Sequence, residues 1–192
     1  MTPFTIHTPD TAPEGSKAQL AATTKAWGFT PKLQAILAES PAALIGHETL
    51  FGLVKQSSLS PVEQQVAFLA VSTFHGCEYC TMGHTYLARA AGMDEDTLQA
   101  LRDERLPEDA KLEALARFAR LVVETRGMAG DAAVQAFLEA GFTRGQVLDV
   151  VAIIATKTIS NYTNHLTHTP KESFMSDPAL AWTASAHRTA AE

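Results

Sequence analysis

The stretch Ser60-Pro61-Val62-Glu63, followed by an apolar run to His75-Gly76, constrains this chain more than any other. Ser60 can accept from the Glu63 amide while the Glu63 carboxylate reaches back to the Ser60 amide, and Pro61 suits a first helical position. That reciprocal cap fixes where a helix begins. Behind it Val62, Val66, Phe68, Leu69 and Val71 predict a largely buried helix, stopped by Gly76.

The same punctuation recurs along the chain. A helical segment is expected over 31–38, and Ser40-Pro41 opens another towards residue 56, with Leu44, Ile45, Leu50, Phe51 and Val54 as its buried stripe. A helix over 77–91 should end at Gly92, whose freedom to adopt a positive φ suits a helix end. Asp94 caps a short helix through Leu101, and further helices are expected over 107–126 and 130–140. Thr143-Arg144-Gly145-Gln146 forms a second capping box, opening a long apolar helix through Ile159. The two boxes hint at two related helical halves. No segment alternates apolar and polar residues for long, and no Asn-Gly or Asp-Gly hairpin signal separates apolar runs. The expectation is an all-α, compact multi-helix domain.

A length of 192 residues allows one domain, and apolar residues at 46% against charged residues at 19% fit a globular protein. Residues 1–16, rich in Thr and Pro, are expected as an N-terminal arm, residues 17–168 as the helical domain, and residues 169–192 as a C-terminal tail packing on the body or a neighbouring subunit. Fifteen Lys and Arg against twenty-one Asp and Glu leave a net charge of -6 without a basic block, which argues against nucleic acid and anionic membrane as partners. No apolar run reaches the ~18 residues of a spanning helix, and the first residues lack a secretory signal pattern, so a cytoplasmic location is expected.

The two cysteines stand as Cys77-Glu78-Tyr79-Cys80, with His84 one turn beyond. On a helix, Cys77, Cys80 and His84 at i, i+3 and i+7 share one face. First-turn amides and the helix dipole favour thiolate, and cysteines three apart can close a disulfide. The His84 imidazole lies where it can take the Cys80 proton and hold the thiolate near neutral pH. The competing readings are small buried core cysteines beside a surface histidine, or a zinc site drawn from His75, Cys77, Cys80 and His84. Zinc fits poorly: residues 77 and 84 of one helix are about 10.5 Å apart along its axis, whereas ligand atoms must lie roughly 2.0–2.3 Å from the ion. The other histidines, His7, His47, His165, His168 and His187, read as surface or interface residues.

The stretch Leu59-Ser60-Pro61-Val62-Glu63-Gln64-Gln65 leading to Cys77-x2-Cys80-x3-His84 resembles the AhpD-like alkylhydroperoxidase group of the carboxymuconolactone decarboxylase superfamily. The likeness extends from about residue 38 to 168 and includes the segment 161–165. It implies an all-helical homo-oligomer, a dimer, trimer or hexamer, that reduces hydroperoxides without a tightly bound cofactor. It also implies that Cys80 attacks the peroxide and becomes a sulfenic acid, that Cys77 resolves it to a disulfide, and that His84 belongs to the proton relay. An external dithiol, such as a lipoyl-bearing protein, would restore the pair. One position departs from the pattern: the relay glutamate twelve residues before the first cysteine is Gln65 here, and an amide cannot take a proton as a carboxylate does. Glu63, the nearest carboxylate, is expected to be occupied by its cap, which leaves His75 as the substitute. A redox sensor or structural oligomer using the same disulfide is the alternative from another class. Lactone decarboxylation is disfavoured by the intact cysteine motif.

Overall fold

The computed structural model describes residues 4–185, and His187 lies outside them. Among the described residues nine helices follow one another: α1 (Glu14–Trp27), α2 (Lys32–Leu37), α3 (Pro41–Val54), α4 (Pro61–Phe74), α5 (Glu78–Ala90), α6 (Glu95–Arg102), α7 (Ala110–Glu124), α8 (Asp131–Glu139) and α9 (Arg144–Thr167). Two short 3-10 turns, Ser173–Ser176 and Pro178–Leu180, complete the described chain, which contains no strand.

Helix α4 is the axis of the fold, buried at every position from Glu63 to Thr73 and packed by α5, α7 and α9. Its main core joins Val66, Phe68, Leu69 and Val71 to Leu98 and Leu101 of α6, Leu115 and Phe118 of α7, and Val150 and Ile153 of α9. Burial on all sides leaves no face for charge, so polar residues at its ends must bond locally. They do so in the expected capping box: the Glu63 amide donates to Ser60 Oγ at 3.2 Å and the Ser60 amide to Glu63 Oε2 at 2.7 Å. The second box forms as well, with the Thr143 amide on Gln146 Oε1 at 2.8 Å. Helix α7 starts later than 107, because Asp109 rather than Pro107 caps it through the amides of Lys111 and Leu112.

The N-terminal segment is a packed part of the domain. Helix α1 begins at Glu14, His7 donates its amide to the Ala35 carbonyl at 3.2 Å, and Ala12 joins Leu20, Leu33, Leu37 and Leu44 in a second core cluster. At the other end the tail lies on the body, where Arg102 donates to the carbonyls of Leu180 (3.4 Å) and Ala181 (2.5 Å), and Trp182 Nε1 donates to the Arg102 carbonyl at 2.7 Å.

Candidate active site

Gly76, at φ +66°, reverses the chain between α4 and α5 in a conformation that a side chain would strain. The Cys77 amide returns to the Ser72 carbonyl, and Cys77 becomes the residue that caps α5, with Cys80 in the first turn. The two sulfurs sit against α9, where Asn164 Nδ2 donates to Cys80 Sγ at 3.1 Å and to Cys77 Sγ at 3.7 Å. One amide therefore bridges both sulfurs. Asn161 and Lys157, one and two turns earlier on α9, face the same pair and are likewise buried.

These contacts give the reduced pair an asymmetric charge. The hydrogen bond from Cys80 lowers Cys77 to about 6, helped by the Lys157 ammonium and Asn161 and opposed by burial. Burial pushes Cys80 well above the usual thiol range, and the neighbouring Cys77 sulfur pushes it further. The two sulfurs thus share one proton, held by Cys80. Among the described residues no carboxylate pairs with Lys157, so the thiolate is its counter-charge.

His84 donates from Nδ1 to Gln65 Oε1 at 2.9 Å, and its ring stacks on Phe68 with centroids 4.5 Å apart. Burial, then the nearby Lys157 and His47, push its imidazole well below the usual range. A neutral His84 can accept a proton through Nε2, but the thiolate charge expected to rest against it is balanced by Lys157 instead.

A cavity of about 90 Å³ reaches Cys80, His84 and Lys157, whereas Cys77 lies behind it. Its rim is a chain of rings, Trp27, Phe29, Phe174 and Tyr86, with successive centroids 6.3, 6.4 and 5.2 Å apart. The tail closes one side: Glu172 Oε1 accepts from Tyr79 Oη at 2.6 Å and from the Lys32 amide at 2.5 Å, bringing Phe174 and Met175 over the cavity. Burial and this carboxylate push the Tyr79 phenol far above its ordinary range, so it stays protonated.

The structure brings together four of the residues singled out in the sequence, Cys77, Cys80, His84 and Gln65. Glu63 is committed elsewhere, to the Ser60 amide and to Lys111 Nζ at 2.8 Å. His75 ends α4 and packs edge-on against Phe74 and Tyr162, away from the cavity lining. His47, expected at the surface, is buried and lines the cavity, because the stripe of α3 that carries it faces α9. His7 is buried too, with Nε2 on Glu39 at 2.8 Å, while His165 and His168 are exposed. Lys157, Asn161 and Asn164 escaped sequence reasoning as a set. Their signal is a polar stripe at i, i+4 and i+7 on the buried face of an apolar helix. Among the described residues no group of three His, Cys, Asp or Glu side chains is placed to hold a metal ion.

Residues 47–120 match the carboxymuconolactone decarboxylase family. No curated protein matches the chain in sequence. Among solved structures, the alkylhydroperoxidase AhpD core of a peroxidase-related protein from Ralstonia eutropha JMP134 superposes with a TM-score of 0.77 at 18% identity, covering 91% of this chain and 95% of that one. A peroxidase-related protein from Silicibacter sp. TM1040 gives 0.74 at 17% identity, covering 91% and 96%. The debrominase Bmp8, as a cysteine-to-alanine variant in complex with 2,3,4-tribromopyrrole, gives 0.69 at 14% identity, covering 83% and 87%. Residues 47–120 thus carry a similarity to the carboxymuconolactone decarboxylase family, and the fold is that of the AhpD core.

Proposed function

We propose that this protein is a two-cysteine thiol peroxidase that reduces organic hydroperoxides and is recharged by an external dithiol. The observation that carries the reading is the pair of sulfurs bridged by Asn164 and charged by Lys157 at the floor of an aromatic cavity. Such a pair holds a thiolate at neutral pH, and only Cys80 reaches the cavity. Moving the shared proton from Cys80 to Cys77 puts the thiolate on the accessible sulfur. Cys80 then attacks the terminal oxygen of R–O–O–H, the O–O bond breaks, and the alkoxide leaves as alcohol by taking one proton. Cys80 is oxidised to the sulfenic acid. Cys77 attacks that sulfur, its proton and the hydroxyl depart as water, and the Cys77–Cys80 disulfide forms. Two exchanges with a dithiol reduce the disulfide and oxidise the dithiol, and a lipoyl-bearing protein is a suitable donor. The neutral His84 can relay the Cys77 proton to the departing hydroxyl during resolution. The aromatic rim favours an apolar R group over a hydrated one.

A second reading rests on the same cavity, which also suits a small halogenated ring. The thiolate would take the halogen, the ring would gain a proton, and Cys77 would expel halide to give the same disulfide. Steady turnover assays separate these readings from each other and from a sensor. With excess dithiol, the wild type should consume an alkyl hydroperoxide continuously, while Cys80→Ser should be inactive and Cys77→Ser should stop at a sulfenic acid or mixed disulfide. Oxidation once without turnover identifies a sensor, halide release from a bromopyrrole identifies the dehalogenating reading, and normal turnover by either variant rejects the two-cysteine cycle.

A further inference from the structure

The peroxidase step needs a proton for the departing alkoxide, and the groups described so far do not supply it. His84 keeps its only proton on Nδ1, directed at Gln65, so its other nitrogen is an acceptor. Lys157 is the counter-charge of the thiolate. Tyr79 has its hydroxyl on Glu172 and stays protonated.

His47 is placed differently. It is 5% exposed on α3, lines the cavity opposite α5, and stacks on Phe51 with an interplanar angle of 9°. Its Nδ1 donates to Glu48 Oε1 at 3.0 Å. That carboxylate is itself held by two other elements: Thr23 of α1 donates to Oε2 at 2.8 Å, and Gln34 of α2 donates to Oε1 at 3.1 Å. Burial opposes its charge, but the bonds from His47, Thr23 and Gln34 outweigh that opposition and keep Glu48 ionised. An ionised carboxylate bound to one ring nitrogen orients an imidazole and favours its cationic form, in which the other nitrogen also carries a proton, whereas an amide such as Gln65 gives no such support. The remaining titratable and charged groups around this cavity are Tyr79, Cys80, His84 and Tyr86 on α5, Lys157 on α9 and Glu172 on the tail. His47 alone among the cavity imidazoles has a carboxylate behind it.

We propose that His47 is the catalytic acid of this site, with Glu48 as its positioning residue. This rests on the peroxidase reading. In the step, the Cys80 thiolate forms the S–O bond and the O–O bond breaks. The departing RO⁻ takes the proton from His47 Nε2 and leaves as ROH, and Glu48 offsets the ring's charge until that transfer. The arrangement replaces the carboxylate missing at Gln65 with one reached from a different helix.

The test compares leaving groups that do and do not need a proton. Single-turnover disulfide formation with cumene hydroperoxide and alkylation by iodoacetamide are measured for the wild type, His47→Gln and Glu48→Gln, with thermal melting as a check on folding. Iodide leaves without protonation, so alkylation should stay within about twofold of wild type in folded variants. Disulfide formation should fall by about 10²-fold in His47→Gln, the usual worth of general acid catalysis, and less in Glu48→Gln. The loss should shrink for hydroperoxides whose alcohols are more acidic. Equal losses in both reactions, or no loss in either, overturn the assignment; should His47→Gln fail to fold, Glu48→Gln decides by the same comparison. A wild type that alkylates normally but forms no disulfide with any hydroperoxide removes the peroxidase reading, and this assignment with it.

Discussion

Lys157→Met tests the charge that activates the cysteine pair. The ammonium is 2% exposed and faces the two sulfurs, and methionine nearly matches its length without its charge. With Cys77 at about 6, roughly 90% of the pair is ionised at pH 7, against about 3% for an ordinary thiol near 8.5. An opposite charge at close range lowers an acid's midpoint by about 1–3 pH units. Because the Cys80 hydrogen bond is the larger cause of the depression and remains, losing the ammonium should move the midpoint by the lower part of that range, to between about 7 and 8. The ionised fraction at pH 7 then falls to between about 50% and 9%, a two- to tenfold loss. Iodoacetamide alkylation followed from pH 4 to 9 reads this directly. The sign also extends to stability. The folded midpoint of Cys77 lies below the ordinary one, so its thiolate contributes stability that is present above about pH 8.5 and lost as pH falls through 6, while the raised Cys80 acts in the opposite sense once pH exceeds about 8.5. Removing one partner of a buried pair costs about 3–5 kcal/mol while the other stays charged, a cost the pair can relieve by taking up a proton, so thermal melting accompanies the titration. An unchanged midpoint in a folded Lys157→Met protein refutes the reasoning.

Other perturbations address the relay, the frame and the assembly. Gln65→Ala leaves the buried His84 Nδ1–H without its acceptor and should cost about 1–3 kcal/mol in denaturant unfolding. Gln65→Glu should raise the proton affinity of His84 and shift the acid limb of the pH–rate profile; an unmoved profile contradicts a role for this contact in proton transfer. Ser60→Ala removes half of the α4 capping box and should lower stability by about 1 kcal/mol, seen as a lower Tm. Leu148, Val151, Tyr162 and Leu166 form an exposed apolar stripe on α9, which supports a homo-oligomer; light scattering should give a mass above that of one chain, and a monomer would contradict it.

What the sequence could disclose follows from where the information sits. Helices with side-chain caps are local events, and Ser40, Ser60, Asp94 and Thr143 each open the helix their side chains announce. Helix α1 has no such cap, and its buried positions are Ser16, Leu20 and Thr23, so no apolar period marks it. The N-terminal residues before it read as an arm for the same reason, although Ala12 and His7 are buried. At the site, Cys77, Cys80 and His84 are legible because one helix spaces them. The groups that charge and orient them lie on α9, 77 to 87 positions further along, and meet them only after α9 crosses α5. A lysine in an apolar helix reads as a solvated residue until burial shows otherwise. The same holds for His47, whose partner Glu48 is held by Thr23 and Gln34 from two other helices.

The most direct measurement counts thiols before and after one equivalent of an organic hydroperoxide. The account predicts that two thiols disappear together, that one equivalent of alcohol forms, and that a dithiol restores both. Two thiols still titrating after exposure, or a single thiol lost without a disulfide, would contradict it.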